Sequence, residues 1–451
     1  MSPVGSAVGA GGRGTGTVLV RGGTVVDPGG PPAGRRADVL VEDGRIVAVA
    51  GGLEVPPGAL VLDAGGCLVG PGLVDLHTHL RQPGGEAAET VATGARAAAL
   101  GGYTAVVAMP NTTPAIDTAS VARDVLALGR PATCQVAVAG AITVGRAGER
   151  LAPLGELAAI GVRLFTDDGR GVQDGGLMRR ALEYGRDLGV VLAEHCEDEA
   201  LAAGGAMHEG AWSSRLGIAG QPSLAEEAMA ARDIGLARLT GARLHLLHLS
   251  TAASLALVAA AKAEGLPVTC EVTPHHLSLT DAEVASFDAR FRVNPPLRAA
   301  DDVAAARRAC TDGVVDALAT DHAPHPVEAK EAPFEEAPPG MLGLETALSV
   351  AFSVLCRGDG PTLSPAALFG LCAARPAAIA GLDADGQGGP LQPGAVAHLC
   401  VFDPDETWTV SGAESASRSR NTPYEGRTLT GRVRHTLYRG EVVVRDARAQ
   451  R

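Results

Sequence analysis

Lysine is nearly missing from this chain: of 38 basic residues only Lys262 and Lys330 are lysines, and the rest are arginine. That bias, together with abundant Ala and Gly, looks like the mark of a GC-rich coding sequence. Long apolar runs are missing too. None reaches the roughly 18 residues that a membrane helix needs, so no membrane partner is expected. The Gly-rich start, Met1 to Thr17, carries no hydrophobic stretch, and no signal peptide is expected there. Eight cysteines are scattered without a CxxC pair, which reads as buried or free thiols in a reducing cytoplasm. Positive charge is in deficit, with a net charge of −13. That argues against nucleic acid as a partner. It also means that an anionic substrate needs local basic groups to overcome the overall field.

What remains is an ordinary globular composition. Of the 451 residues, 46% are apolar and 20% charged, which excludes general disorder. The length suggests about three domains at roughly 150 residues each, although one barrel can take about 250. Val-rich runs with Gly turns occupy 17–27, 38–51 and 59–70, and Asp43-Gly44 inside the second is a strong hairpin signal. The same texture returns at 395–403 and 428–446. Strands at both chain ends predict one composite β-sandwich domain over 17–70 and 386–451, preceded by a flexible Gly-rich tail over 1–16. Two separate β modules are the alternative, but closing one sheet from both ends hides more strand edges.

Between 71 and 385 short apolar runs alternate with Ala-rich helical segments, the pattern of βα units. Eight such runs stand at 73–77, 104–110, 134–141, 162–168, 190–196, 243–250, 267–276 and 315–322. Helical composition lies between them, for example at 89–100 and 254–265. Eight units predict an α/β fold of the (β/α)8 TIM type, with catalytic groups at the C-terminal strand ends. The Pro-rich stretch 324–339 predicts a long functional or mobile loop.

The polar residues fall at those strand ends: His77 and His79, Asn111, Asp167-Asp168, His195, His248, and Asp321-His322. Any one histidine is usually a hydrogen-bonded core or surface residue. Burying six such groups together without a cation would be costly. His77 and His79 are two apart, so on a strand both face one side and can share a metal. His195 and His248 could take a second, with a carboxylate between. Nitrogen and oxygen ligands without cysteine suit a catalytic zinc, with Mn or Co as substitutes.

These motifs in this order resemble the amidohydrolase superfamily, and more closely the bacterial type I dihydroorotases. The resemblance rests on GLVDLHTHLRQPGGEAAET (72–90), AMPNTTP (108–114), FTDDG (165–169), AEHCED (193–198), EVTPHHL (271–277), NPPLR (294–298) and ATDHAPH (319–325). It implies two Zn²⁺ per subunit: His77, His79 and Asp321 hold one, His195 and His248 the other, and Asp168 bridges them, with Asp167 as fallback. It implies reversible cyclisation of N-carbamoyl-L-aspartate to (S)-dihydroorotate in pyrimidine synthesis. A hydroxide between the zinc ions would be the nucleophile for ring opening, and Asp321 the general acid/base. His79, Arg81, Asn111, Asn294, His325, Pro339 and Gly340 would bind the substrate, with Arg81 gripping its carboxylate. The family often carries Phe-Gly where this chain has Pro339-Gly340; Pro339 lacks an N–H, so only its carbonyl could serve. A homo-oligomer, and association with aspartate transcarbamoylase, are the implied assemblies.

Two other readings compete. Hydantoinases and allantoinases resemble this chain but bridge their metals with a carbamylated lysine after the fourth strand, and VRLFTDD (162–168) has none. An inactive scaffold for aspartate transcarbamoylase would have lost metal ligands, whereas all six are present. His275-His276 read as support or structural residues, Glu271 as a partner of the ligands, and His322 as facing away from the pocket. His208, His245, His398 and His435 belong to no constellation, and Cys196 should face opposite to His195.

Overall fold

The computed structural model describes residues 16–451. The tail expected over 1–16 therefore lies outside the described residues, apart from Gly16.

Local sequence builds the β-rich part first. Asp43 and Gly44 adopt φ of 47° and 79°, so the chain reverses tightly and pairs Glu42 with Arg45. Strands Val18–Val25, Arg35–Glu42, Arg45–Ala50, Leu60–Asp63 and Leu68–Pro71 come from the front of the chain. Strands Leu399–Thr409, Thr428–Tyr438, Glu441–Arg445 and Arg448–Ala449 come from its end. They join in one nine-stranded sheet, and its seam is the antiparallel pairing of Leu68–Pro71 with Leu399–Phe402. One apolar cluster draws on both ends, with Val20, Val39, Val41 and Val69 packed with Leu399 and Val401. Two independent modules would have left two pairs of exposed edges; one sheet leaves one pair.

Each of the eight apolar runs coincides with a barrel strand, the first strand running one residue past its run and the second starting one residue before its run. In order these are Leu73–Thr78, Tyr103–Ala108, Gln135–Val138, Leu164–Phe165, Val191–Glu194, Leu244–Leu246, Val268–Val272 and Ala317–Leu318. All neighbouring pairs are parallel. Single bridges, Gly140 to Phe165 and Thr78 to His322, join the third strand to the fourth and the eighth to the first. Val74, Leu76, Val107, Leu164, Val191 and Leu247 fill a core of small and branched residues.

Helices cover the outside. Thr90 caps Val91–Leu100, accepting from the Thr93 amide, so this helix starts two residues into the helical composition read over 89–100. Thr251 caps Ala252–Ala263 in the same way. The 324–339 loop is tied down: within it Val327–Lys330 is helical, and Lys330 Nζ donates to the carbonyls of Ala289 and Pro338 at 2.8 Å each. Among the described residues no helix is long and apolar enough to cross a membrane.

Candidate active site

The barrel gathers its polar strand ends at one mouth. Asp75, on the first strand, accepts from the backbone amides of His77 and Thr320 at 3.1 Å each. This clamps the first and eighth strands together and sets His77 against Asp321. Arg81, His248 and Asp321, all at the mouth, have positive φ (58°, 32° and 47°), a conformation unfavourable for side-chain-bearing residues.

Asp168 lies at the centre. Its Oδ1 is 3.2 Å from His77 Nε2, 3.5 Å from His195 Nδ1 and 3.6 Å from His248 Nε2. Its Oδ2 is 3.5 Å from His79 Nε2. Asp321 Oδ1 completes the group, 3.0 Å from His79 Nε2 and 3.6 Å from His77 Nε2. His77, Asp168 and His248, and likewise His77, His79 and Asp321, bring ligand atoms within 4.8 Å of one another. The neighbouring carboxylate does something else: Asp167 accepts from the amides of Ile142 and Thr143 at 2.8 and 3.0 Å and from the Thr143 hydroxyl. Its oxygens hold the loop after the third strand, which leaves the centre to Asp168.

The charges around this centre fit a cation. His77 Nδ1 is 2.9 Å from Glu271 Oε1 and donates to it; Nε2 is buried with no hydrogen-bond partner, 3.2 Å from the Asp168 oxygen. An imidazole nitrogen facing a carboxylate at that range needs a proton or a metal ion between them. The proton affinities say the same. Burial alone would strip His77 of a proton, yet Asp168, Glu271 and Asp321 hold its pKa well above the ordinary value. Burial likewise works against His195, but Asp168 and Glu197 lift it to about 10. Burial pushes Asp168 up, but His77, His195 and His248 outweigh it and hold this carboxyl well below the usual range. His195 Nδ1 and His248 Nε2 stand 2.9 Å apart. Two nitrogens each at about 2.0–2.1 Å from one tetrahedral zinc would stand about 3.3 Å apart, so a small separation of the rings would admit the ion. The donors are nitrogen and oxygen, while Cys196 turns its thiol to the Glu194 carbonyl at 3.7 Å.

Around the rim, Arg81 Nε donates to the Pro324 carbonyl at 3.1 Å, and its Nη2 lies 3.5 Å from His325 Nε2. Burial and the Arg81 charge pull the His325 pKa down to about 3, so this ring is neutral and donates from Nε2 to the Pro339 carbonyl at 2.8 Å. Gly340 gives its N–H to Arg292 and its carbonyl to Asn421, so Pro339 and Gly340 shape the wall with polar groups already bonded. Gly340 has φ +146°, and a Cβ there would stand 2.7 Å from His325 Nε2, which only glycine avoids. Asn111 accepts from His79 Nδ1 at 2.9 Å and points its amide toward Asp168 at 3.4 Å. Asn294 donates to Glu197 at 2.5 Å.

Some residues have other partners than sequence reasoning gave them. His245, expected to stand alone, is 3.1 Å from Glu271 Oε2 and 2.8 Å from the Thr269 hydroxyl. It continues a buried chain from His77 through Glu271, and carboxylates bonded to ligand histidines fix their tautomer. Glu197 was missed outright, although it sits two residues after His195. His322 does face away, toward Glu89 at 3.3 Å. His208 meets Arg298, while His398 and His435 pair with backbone groups. His275 and His276 stack with ring centroids 4.5 Å apart.

A closed parallel barrel with histidines and aspartates converging at its strand ends, flanked by a β-rich sheet, defines a cyclic amidohydrolase. Solved structures agree. L-hydantoinase (dihydropyrimidinase) from Arthrobacter aurescens superposes with TM-score 0.84 at 26% identity, covering 96% of this chain and 97% of that one. Dihydropyrimidinase from Brevibacillus agri, at 24% identity and TM-score 0.82, shares the fold over 96% of each chain. Sequence comparison narrows the class. Residues 66–254 match the Dihydro-orotase-like family model. Dihydroorotase of Mycobacterium tuberculosis is 49% identical over 435 residues, 96% of this chain and 99% of the relative. That of Anaeromyxobacter dehalogenans is 48% identical over 437 residues, with the same coverage. The chain belongs to the dihydroorotase family.

Proposed function

We propose that this protein catalyses the reversible cyclisation of N-carbamoyl-L-aspartate to (S)-dihydroorotate with release of water, a step of pyrimidine synthesis. The observation that carries this reading over a hydantoinase is the aspartate at the centre. Asp168 stands among four histidines, while both lysines are engaged elsewhere: Lys262 with Asp316 at 2.6 Å, and Lys330 with backbone carbonyls. Two Zn²⁺ ions fit the donors, one held by His77, His79 and Asp321 and the other by His195 and His248, with Asp168 between them. Bound there, such a pair supplies a water acidic enough to ionise near neutral pH and polarises the amide carbonyl.

The chain's own groups do the rest. Arg81 grips the carboxylate that both species carry, in a planar fork that stays charged when buried. The Asn111 amide adds a donor beside it, while neutral His325, its Nε2–H engaged by the Pro339 carbonyl, has only Nδ1 to offer as an acceptor. In the cyclising direction the carbamoyl nitrogen attacks the side-chain carboxyl carbon. Asp321 takes the proton from that nitrogen and returns it to the departing oxygen, and one further proton drawn from solvent completes the water that leaves as the C–N bond forms. Ring opening runs the same path backwards. A cytoplasmic location accords with eight free cysteines, all but Cys356 buried. A homo-oligomer and association with aspartate transcarbamoylase rest on the family resemblance.

The purified protein should hydrolyse dihydroorotate in an ultraviolet assay, lose that activity with a strong chelator, and regain it on adding zinc. Metal analysis should find two zinc ions per chain. Turnover of hydantoin or dihydrouracil in place of dihydroorotate would overturn the substrate. A well-folded chain that binds no metal would point to the scaffold alternative.

Arg81→Ala tests the carboxylate grip. Losing a charge-assisted contact costs about 1.5–3 kcal/mol, so KM should rise roughly 10- to 100-fold with a smaller change in kcat. An unchanged KM would remove Arg81 from the substrate.

A further inference from the structure

Glu197 joins two parts of the site. Its Oε2 accepts from Asn294 Nδ2 at 2.5 Å and lies 3.7 Å from His195 Nε2. A carboxylate can only accept, so the Asn294 amide must turn its NH2 toward Glu197. Its other end, Oδ1, is then left buried with no partner among the described residues. On the other side, His195 turns Nδ1 to the central cluster, 2.9 Å from His248 and 3.5 Å from Asp168. Lent to a metal ion through Nδ1, that ring would keep its proton on Nε2, toward Glu197. One carboxylate from the loop after the fifth strand thus sets which end of Asn294 is left unpaired and stands beside the far nitrogen of His195.

We infer that Glu197 is a positioning residue: it presents Asn294 Oδ1 as an acceptor for an N–H of the cyclic amide or its open ureido form, and it holds His195 in the tautomer that binds metal. This rests on the dihydroorotase reading and on Asn294 facing the substrate. An unpaired buried carbonyl rewards a ligand N–H and rejects an analogue without one. At 3.7 Å Glu197 and His195 are in ion-pair contact rather than hydrogen-bonded; drawn together around a bound metal they would form the carboxylate–histidine–metal arrangement, whose loss lowers metal affinity about 10- to 100-fold.

Exchanging the pair separates the two roles. Glu197→Gln can offer its own NH2, so Asn294 turns over and presents a donor where the substrate N–H arrives. KM for dihydroorotate should rise about 10-fold or more, with a smaller fall in kcat. Asn294→Asp sets two carboxylates against each other and should also raise KM. The double variant E197Q/N294D rebuilds one donor against one acceptor, keeps the net charge and leaves an Asp oxygen facing inward. Its KM should return to within about threefold of wild type, a rescue expected only where paired groups are coupled.

Zinc affinity, read by competition with a chromophoric chelator and independent of turnover, should fall in E197Q. It should stay low in the double variant, because the amide nitrogen no longer accepts from His195. A double variant no better than the worse single variant would overturn the amide role; unchanged zinc affinity in E197Q would overturn the tautomer role. Should E197Q fail to fold, Glu197→Ala leaves Asn294 free to turn either way, and its zinc affinity must still fall. If the wild type binds zinc but does not turn over dihydroorotate, the substrate reading fails and the amide role fails with it, while the zinc result still decides the tautomer role.

Discussion

Asp321→Asn should lower kcat by about 10²- to 10⁴-fold, the usual contribution of a positioned acid–base group. Burial pushes this carboxyl upward, but the bond to His79 and the charges of His77 and His248 outweigh it and hold the group well below the usual carboxylate range. A carboxyl so depressed is ionised at any working pH, the state a base must start from. Its Oδ1 lies 3.0 Å from His79 Nε2 at the end of the eighth strand, so it faces the cluster where the reacting nitrogen must arrive. Asparagine keeps the shape and removes the basic oxygen. The readout is kcat in the ultraviolet assay, with the melting temperature and zinc content of the same preparation as controls. Turnover within tenfold of wild type, at full zinc content, would take Asp321 out of the proton path.

Glu226→Ala should destabilise the fold by about 3–5 kcal/mol, because it strands a buried cation. Glu226 and Arg298 are both buried, with Arg298 Nη2 3.6 Å from Glu226 Oε2. Glu226 also accepts from the Ser250 and Thr251 amides at 3.1 and 3.0 Å and from both hydroxyls. Arg298 Nε in turn bonds the Ser250 hydroxyl at 3.0 Å. This knot holds the segment directly after His248, so the loss should appear in denaturant midpoint and zinc retention together. Burial raises the Glu226 pKa, but Arg298 and the Ser250 bonds more than offset this and leave it below its ordinary value. A carboxylate depressed in the folded state contributes stability above its unfolded pKa and loses it as pH falls through the folded one. The wild-type contribution is therefore complete at neutral pH and disappears only on strong acidification. A midpoint within about 1 kcal/mol of wild type would show that Arg298 finds another partner.

Much of this was readable along the chain because it is local. The Asp43-Gly44 reversal needs only two adjacent residues that tolerate positive φ. The barrel strands announce themselves as short apolar runs between Ala-rich helices, and His77 and His79 share a side because strand side chains alternate. The two consecutive aspartates were harder. Asp167 and Asp168 have the same chemistry one residue apart, and the choice between them depends on Thr143, 24 residues earlier, whose hydroxyl and amide hold Asp167. Glu271 was legible as a partner of the ligands, but His245 was not, since its chain to His77 through Glu271 crosses three strands. Pro339 and Gly340 showed a departure from the family pattern, but not that His325, Arg292 and Asn421 already bond their polar groups.

The order of apolar and polar residues by itself determined the barrel, the sheet shared by both chain ends and the set of groups at the mouth, because backbone periodicity assigns each side chain a face before any long-range contact forms. Only the tertiary structure decided which carboxylate stands among the histidines, which ring nitrogen keeps its lone pair and which end of Asn294 is left open. Those choices are made by donors and acceptors from distant strands, and a donor can be matched to its acceptor only once folding has brought them within about 3 Å.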